Sequence, residues 1–144
     1  MRAAWHLHAS MEGTPPSVLL VEDDVEVRTA VAEILELEGF AVDTAIHGQQ
    51  ALDKLRSGAA PSVLLLDLMM PVMNGLELLE HLRRETQLRP PPVIVLSANR
   101  GYAAEDLGVE AVVRKPFDLD ALMGNIAAVL RKSGQALPGS PASA

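Results

Sequence analysis

Cysteine is absent from the 144 residues of the chain, and its absence excludes thiol catalysis, disulfides and cysteine-based zinc sites. The chain also lacks any apolar run close to the roughly 20 residues that span a bilayer, so we expect no membrane segment. Basic residues are outnumbered, with 12 Lys and Arg against 19 Asp and Glu and a formal charge of −7. That balance argues against direct binding to the phosphate backbone of nucleic acid. The remaining composition, 49% apolar and 22% charged residues, is typical of one globular domain.

The two ends of the chain lack the periodicity of its middle. Residues 1–16 have no regular pattern, and their apolar stretch is too interrupted for a signal peptide, so we expect a disordered N-terminal extension. Residues 133–144 are rich in Gly, Pro, Ser and Ala, which indicates a flexible C-terminal tail. The folded domain is therefore expected at residues 17–132. No targeting signal is evident, and we expect a cytoplasmic location.

Between these ends, short apolar runs alternate with amphipathic helical patterns. Strands are predicted at residues 18–22, 41–45, 63–67, 93–97 and 111–114. Helices are predicted over 25–38, 48–57 and 75–86, with a last helix that Asp118 caps. Because the strands are apolar on both faces, we expect an α/β fold with a doubly wound, five-stranded parallel sheet between helices.

Polar residues follow these strands where each strand ends. Glu22 and Asp23 follow the first strand, Asp67 ends the third, Ser97 ends the fourth and Lys115 follows the fifth. In open parallel sheets, ligands bind outside this carboxyl edge. Clustered carboxylates need a cation in order to stay ionised together, and oxygen ligands without His or Cys favour Mg²⁺.

This set of side chains permits phosphoryl transfer. Asp67 could attack a phosphorus atom and become an acyl phosphate, while Mg²⁺, the Lys115 ammonium and the Ser97 hydroxyl each bind one phosphoryl oxygen. Each residue alone also has an ordinary structural interpretation, such as a turn cap for Asp67 or a backbone hydrogen bond at a loop start for Ser97. Their common placement at one sheet edge favours a functional site.

Four segments around these residues resemble the receiver domain of bacterial two-component response regulators. They are Val-Leu-Leu-Val-Glu22-Asp23-Asp24, Leu-Leu-Leu-Asp67-Leu-Met-Met-Pro71-Val-Met-Asn-Gly75, Val-Leu-Ser97-Ala98 and Lys115-Pro116-Phe117. The resemblance covers residues 17 to about 132 and implies a flavodoxin-like (βα)5 fold. It also implies a cis bond between Lys115 and Pro116.

The resemblance implies a role for each matched residue. Asp67 would be the phosphoacceptor, Asp23 a direct Mg²⁺ ligand, Glu22 a ligand through water, the Met69 backbone carbonyl a further ligand, Ser97 the switch hydroxyl and Lys115 the phosphate partner. The phosphoryl donor would be a sensor histidine kinase or a histidine phosphotransfer protein. We predict a stand-alone receiver that catalyses only its own phosphorylation and hydrolysis, and that signals by contact with an unidentified downstream protein.

Two departures from the family pattern bear on signalling. Val112 stands where the family often has an aromatic residue, and Tyr102 is a possible substitute, although a loop aromatic covering the core edge is the preferred interpretation. Ser97 and Lys115 are 18 positions apart, about one helical turn fewer than is usual in the family. We therefore predict a truncated or irregular fourth helix, with signalling through another face or through order–disorder of residues 98–110.

Other functions remain as alternatives. A phosphatase of the haloacid-dehalogenase type would need an Asp two residues after its nucleophile, where this chain has Met69. A nucleotide or flavin binder would need a Gly-rich turn after the first strand, where this chain has Glu22-Asp23-Asp24. A receiver-like scaffold that is never phosphorylated also stays open.

Overall fold

The computed structural model describes residues 14–99 and 101–138. Residues 1–13 of the expected N-terminal extension and residues 139–144 of the expected C-terminal tail therefore lie outside the described residues. The strands are β1 Ser17–Val21, β2 Ala41–Ala45, β3 Val63–Asp67, β4 Val93–Ser97 and β5 Ala111–Arg114. The helices are α1 Val25–Leu37, α2 Gly48–Arg56, α3 Gly75–Arg84, α4 Ala104–Leu107 and α5 Leu119–Lys132.

All strand pairs are parallel, in the order β2-β1-β3-β4-β5, which confirms the predicted doubly wound α/β fold. The chain goes outward from β1 to β2 and then returns to the other side of β1 for β3, so the order reverses between β1 and β3. A ligand site is expected at this switch point. The register places Val21 opposite Leu66, which brings the residues that follow β1 beside Asp67 at the end of β3.

The core consists of two layers of aliphatic side chains, one on each face of the sheet. Alternate residues of β1 point to opposite layers, so Leu19 packs with α2 and α3 while Leu20 packs with α1 and α5. All five residues of β3 are buried. The strand that ends in Asp67 is therefore central in the sheet and enclosed on both faces.

Capping side chains fix where the helices begin. The Asp24 carboxylate accepts hydrogen bonds from the amides of Glu26 (2.9 Å) and Val27 (3.1 Å) and so starts α1. Asn74 and Glu77 form a reciprocal capping box at the start of α3. Asp118 caps α5, as predicted.

Several predicted boundaries are wrong by one or two residues. The first strand was predicted at 18–22 and lies at Ser17–Val21, although the Glu22 amide still donates to the Ala45 carbonyl (3.0 Å). The helices predicted to end at 38, 57 and 86 end at Leu37, Arg56 and Arg84. The reason is that the next residue in each case is a C-cap, which bonds the last turn without extending the helix.

The fourth helix is truncated, as predicted. α4 has four residues, none of them fully buried, and its N-cap Ala103 offers no side-chain acceptor. Gly108 ends it in the left-handed conformation (φ 68°), which glycine adopts without a steric penalty.

Within the described part of the chain, no helix is long and apolar enough to cross a membrane. In the described residues that follow α5, Leu137 packs against the core layer that contains α1 and α5.

Candidate functional site

Three carboxylates meet at the carboxyl edge of the sheet, at the switch point. Glu22, Asp23 and Asp67 each offer an oxygen atom within 4.8 Å of the others, and we call them the acidic cluster. Glu22 and Asp67 are only 1% and 6% exposed, whereas Asp23 is exposed. Three like charges at this separation repel one another, and the cluster contains only oxygen donors, so it suits a hard divalent cation.

Lys115 reaches into this cluster from the end of β5. Its Nζ lies 2.7 Å from Glu22 Oε1 and 3.7 Å from Asp67 Oδ2. The Lys115 amide donates to the Ser97 carbonyl (2.8 Å), and the Lys115–Pro116 peptide is cis, as the resemblance implied. Sequence reasoning directed Lys115 to a phosphoryl group and did not anticipate its ion pair with Glu22, because nothing local links residues 93 positions apart.

The buried ion pair sets the protonation of its members. Burial raises the pKa of the Glu22 carboxyl, the Lys115 hydrogen bond opposes this, and the neighbouring Asp67 charge adds to it. Burial lowers the pKa of Lys115, but the hydrogen bond that Lys115 donates to Glu22 and the charge of Asp67 outweigh burial, so the net shift is upward. Lys115 therefore carries its charge at neutral pH.

Asp67 and Ser97 end adjacent strands, and their side chains have different local partners. Asp67 Oδ1 accepts a long hydrogen bond from the Met69 amide (3.3 Å). Ser97 Oγ accepts from the Asn99 amide (3.0 Å) and donates to the Asn99 carbonyl (3.3 Å). The Ser97 hydroxyl thus bonds the backbone of its own loop, and among the described residues it makes no hydrogen bond to the acidic cluster.

Arg28 was missed by sequence reasoning. Its Nη1 donates to the backbone carbonyls of Glu22 (2.8 Å) and Asp23 (3.2 Å), although Arg28 closes the first turn of α1. The one sequence signal is a basic residue soon after an acidic run, and this does not reveal that the side chain folds back.

The loop from β3 to α3 has an unusual backbone. Val72 has a positive φ of 65°, and the Met73 amide donates to the Pro71 carbonyl (2.7 Å), which closes a γ-turn around Val72. For a β-branched residue this conformation is strained. The loop is held tightly to its neighbours, because a Cβ on Gly75 would meet the Asp67 carbonyl oxygen at 2.7 Å.

Exposed apolar side chains lie at the same edge of the sheet as the acidic cluster. Six of the eight large apolar residues that the structure records as exposed follow the carboxyl ends of strands or begin helices there. They form an apolar rim, defined as Val25, Ile46, Met69, Val72, Leu76 and Leu119. Met69 and Val72, next to Asp67 in sequence, are the most exposed at 73% and 76%.

The sequence profile of the family described as the response regulator receiver domain matches residues 18–127. The chain belongs to this family. Among curated proteins, the Haemophilus influenzae CpxR homolog, a transcriptional regulatory protein, is 40% identical over 121 residues, which cover 81% of this chain and 51% of that protein. The chain spans about half the length of the curated relatives it matches.

Solved structures show the same architecture. The receiver domain of the Francisella response regulator 1452 superposes with a TM-score of 0.74 at 29% identity and covers 82% of this chain and 98% of that one. The Vibrio cholerae chemotaxis response regulator CheY4 gives 0.70 at 30% identity and covers 81% of this chain and 100% of that one. These likenesses establish the receiver fold for the domain.

The receiver domain differs from the usual family pattern around β5. Val112 is partly buried and has no ring. Tyr102 is also partly buried and packs against the same core layer as Val112, Leu107 and Val109. Tyr102 therefore lies at the edge of the core, where its side chain covers apolar residues.

Proposed function

We propose that this receiver domain is a phosphorylation-dependent signalling module in which Asp67 accepts a phosphoryl group in a Mg²⁺-dependent reaction. The observation that supports it is the acidic cluster within 4.8 Å, together with Lys115 Nζ between Glu22 and Asp67. The donor is the phosphohistidine of a sensor histidine kinase or of a phosphotransfer protein.

The donor atoms of the cluster fit Mg²⁺, which takes one or two carboxylates and retains several waters. Asp23 and Asp67 would bind it directly, with the Met69 backbone carbonyl as a further ligand and Glu22 acting through water. When bound, the ion neutralises negative charge on the cluster and on the phosphoryl oxygens. Glu22 is already engaged by Lys115 at 2.7 Å, which agrees with an indirect role for Glu22.

The chemistry is carried by the protein's own side chains. A carboxylate oxygen of Asp67 forms a bond to phosphorus while the P–N bond to the donor imidazole breaks. The electron pair of that bond returns to the imidazole nitrogen, which takes up a proton. The Lys115 ammonium and the Ser97 hydroxyl then bind phosphoryl oxygens, for which Ser97 must exchange its bonds to Asn99. Hydrolysis by water restores the carboxylate and releases phosphate, so the domain acts on itself and on no separate substrate.

The apolar rim supports a protein as the phosphodonor. A small donor needs only the acidic cluster, whereas a helical protein surface that presents a histidine can also bury the exposed side chains of Val25, Met69 and Val72. Output by protein contact agrees with the formal charge of −7, which disfavours nucleic acid.

A second candidate is that the domain forms the input half of a larger transcriptional regulator. It is favoured by the names of the relatives, since the CpxR proteins and CseB are transcriptional regulatory proteins of which this chain covers about half. An immunoblot of cells that produce the protein distinguishes the two. A band near 15.4 kDa supports the stand-alone module, and a band of about twice that mass supports the larger regulator.

Phosphorylation is tested by intact-mass spectrometry after incubation with acetyl phosphate, with and without Mg²⁺. We expect one added phosphoryl group that requires Mg²⁺ and is lost in Asp67→Asn. Asp53→Asn, which changes an exposed carboxylate of α2, is the matched control and should behave as wild type. No adduct and no Mg²⁺ binding would instead support a scaffold that is never phosphorylated.

A further inference from the structure

We propose that Arg28 is a positioning residue of the phosphoryl-transfer site. Its guanidinium holds the two carbonyl groups that follow β1 and thereby fixes Glu22 and Asp23 in the arrangement that binds the metal. This inference rests on the proposed function, because it concerns the same acidic cluster.

The contacts of Arg28 are specific to the segment that carries the acids. Its Nη1 lies 2.8 Å from the Glu22 carbonyl oxygen and 3.2 Å from that of Asp23. In residues 14–99 and 101–138, no backbone amide donates to either of these oxygens. Arg28 is thus the protein group that satisfies both carbonyls at the point where the chain leaves the sheet.

The rest of the segment makes Arg28 a rigid tether. Asp24 fixes the first turn of α1 by accepting from the amides of Glu26 and Val27, and the Arg28 amide donates to the Asp24 carbonyl (2.9 Å). The Arg28 backbone is therefore set by the helix, and its side chain transmits that position back to Glu22 and Asp23. Without it, only the long bond from the Asp24 amide to Glu22 Oε2 (3.3 Å) links the acidic pair to the turn.

Charge gives Arg28 a second effect of opposite sign, and the two effects can be separated. Among the described residues, Arg28 has no ion-pair partner within 4 Å, so its positive charge, held at the Glu22 and Asp23 carbonyls, also attracts the acidic cluster. If charge alone mattered, removing Arg28 would strengthen the binding of a cation. If position matters more, as we propose, removing Arg28 weakens it, because second-sphere groups that orient ligands commonly change metal affinity by about 10- to 100-fold.

The test measures Mg²⁺ affinity by calorimetry on Arg28→Ala, Arg28→Lys and Arg84→Ala. We expect the Kd of Arg28→Ala to rise by about tenfold and that of Arg28→Lys to stay within about threefold of wild type, since one ammonium can take the place of Nη1. Arg84→Ala removes an exposed arginine (77%) in the last turn of α3, and it should bind as wild type does. The acetyl phosphate reaction of Arg28→Ala should be slow at low Mg²⁺ and recover at saturating Mg²⁺.

Equal or tighter Mg²⁺ binding by Arg28→Ala would overturn the positioning role. An equal loss of Mg²⁺ affinity in Arg84→Ala would do the same, because it would show that the effect is not specific to Arg28. Hydrogen exchange at the amides of residues 23–25 in the metal-free protein tests the tether independently. It should be faster in Arg28→Ala and less so in Arg28→Lys. If the wild-type domain binds Mg²⁺ but is not phosphorylated, the proposed function is refuted. The Mg²⁺ affinities of wild type and Arg28→Ala then still decide whether Arg28 positions the acidic cluster.

Discussion

Replacement of Gly75 by alanine should damage both stability and phosphorylation, because Gly75 is packed against the strand end that carries Asp67. A Cβ at this position would meet the Asp67 carbonyl oxygen at 2.7 Å and the Leu68 Cα at 2.8 Å. To reach the 3.4 Å of ordinary van der Waals contact, Gly75 and the Asp67 backbone must move apart by about 0.7 Å. Two of the three close atoms belong to the backbone, so no side-chain rotation relieves the clash.

The expected cost follows from that displacement. Overpacking of this kind costs about 1–3 kcal/mol, which should lower the Tm by roughly 5–15 °C for a domain of this size. Since the atoms that move belong to the backbone of Asp67, the rate of phosphorylation by acetyl phosphate should fall by about tenfold or more, because sub-ångström misplacement of a reacting group is costly. Both quantities are accessible by thermal unfolding and intact-mass time courses.

Gly124→Ala is the matched control for the same chemical change. Gly124 lies inside α5, and a Cβ there would meet nothing within 4 Å. Alanine is the better helix former, so this variant should gain about 0.5–1 kcal/mol and keep the wild-type phosphorylation rate. A Gly75→Ala protein as stable and as reactive as wild type would refute the steric reasoning, provided that Gly124→Ala behaves as expected.

Three further changes have defined outcomes. Lys115→Ala should lower the free energy of unfolding in urea by about 2 kcal/mol, because the buried Glu22 carboxylate loses its partner. The variant should retain Mg²⁺ binding while its phosphorylation is impaired. Loss of metal affinity would contradict the role of Lys115 as the phosphate partner. The Arg56 guanidinium holds the pKa of the Glu85 carboxyl below its usual 4.5, so the stability from this pair is present above that value and lost as the pH falls through the folded-state pKa. The free energy of unfolding, measured from about pH 6 to pH 3, should therefore fall less in Glu85→Gln than in wild type. An identical pH dependence in the two proteins would refute this. Val72→Gly should gain about 1 kcal/mol by relieving the positive φ, whereas Val72→Ala should gain much less; equal gains would place the strain elsewhere.

Four strands were predictable because each is a short apolar run with polar or turn-forming neighbours, and β2 was predictable from its alternation of apolar and polar residues. β3 and β4 were located to the residue, since Asp67 and Ser97 end uninterrupted apolar runs. The helix ends were less predictable, because a C-cap such as Glu38 has the same polar character as a last-turn residue. The shortness of α4 followed from the spacing between Ser97 and Lys115.

The grouping of the acidic cluster was predictable from the parallel sheet, because the carboxyl ends of neighbouring strands meet at one edge. Its internal contacts were not. Three features depend on where the folded backbone lies: the Glu22–Lys115 ion pair, the return of Arg28 to the carbonyls that follow β1, and the positive φ of Val72. No local sequence pattern encodes these contacts. The resemblance to known receivers implied a role for each site residue, but it did not indicate which residues contact one another.

The ion pair between Glu22 and Lys115 also bears on how the protein is made. It joins residues 93 positions apart, and such distant contacts form late because long loops must close first. A growing chain that has left the ribosome as far as β4 already contains Asp67 and the acidic pair but still lacks its lysine. The site is therefore assembled only when nearly the whole domain has been translated and β5 has docked, so an incomplete chain presents Asp67 without the cation that accompanies it.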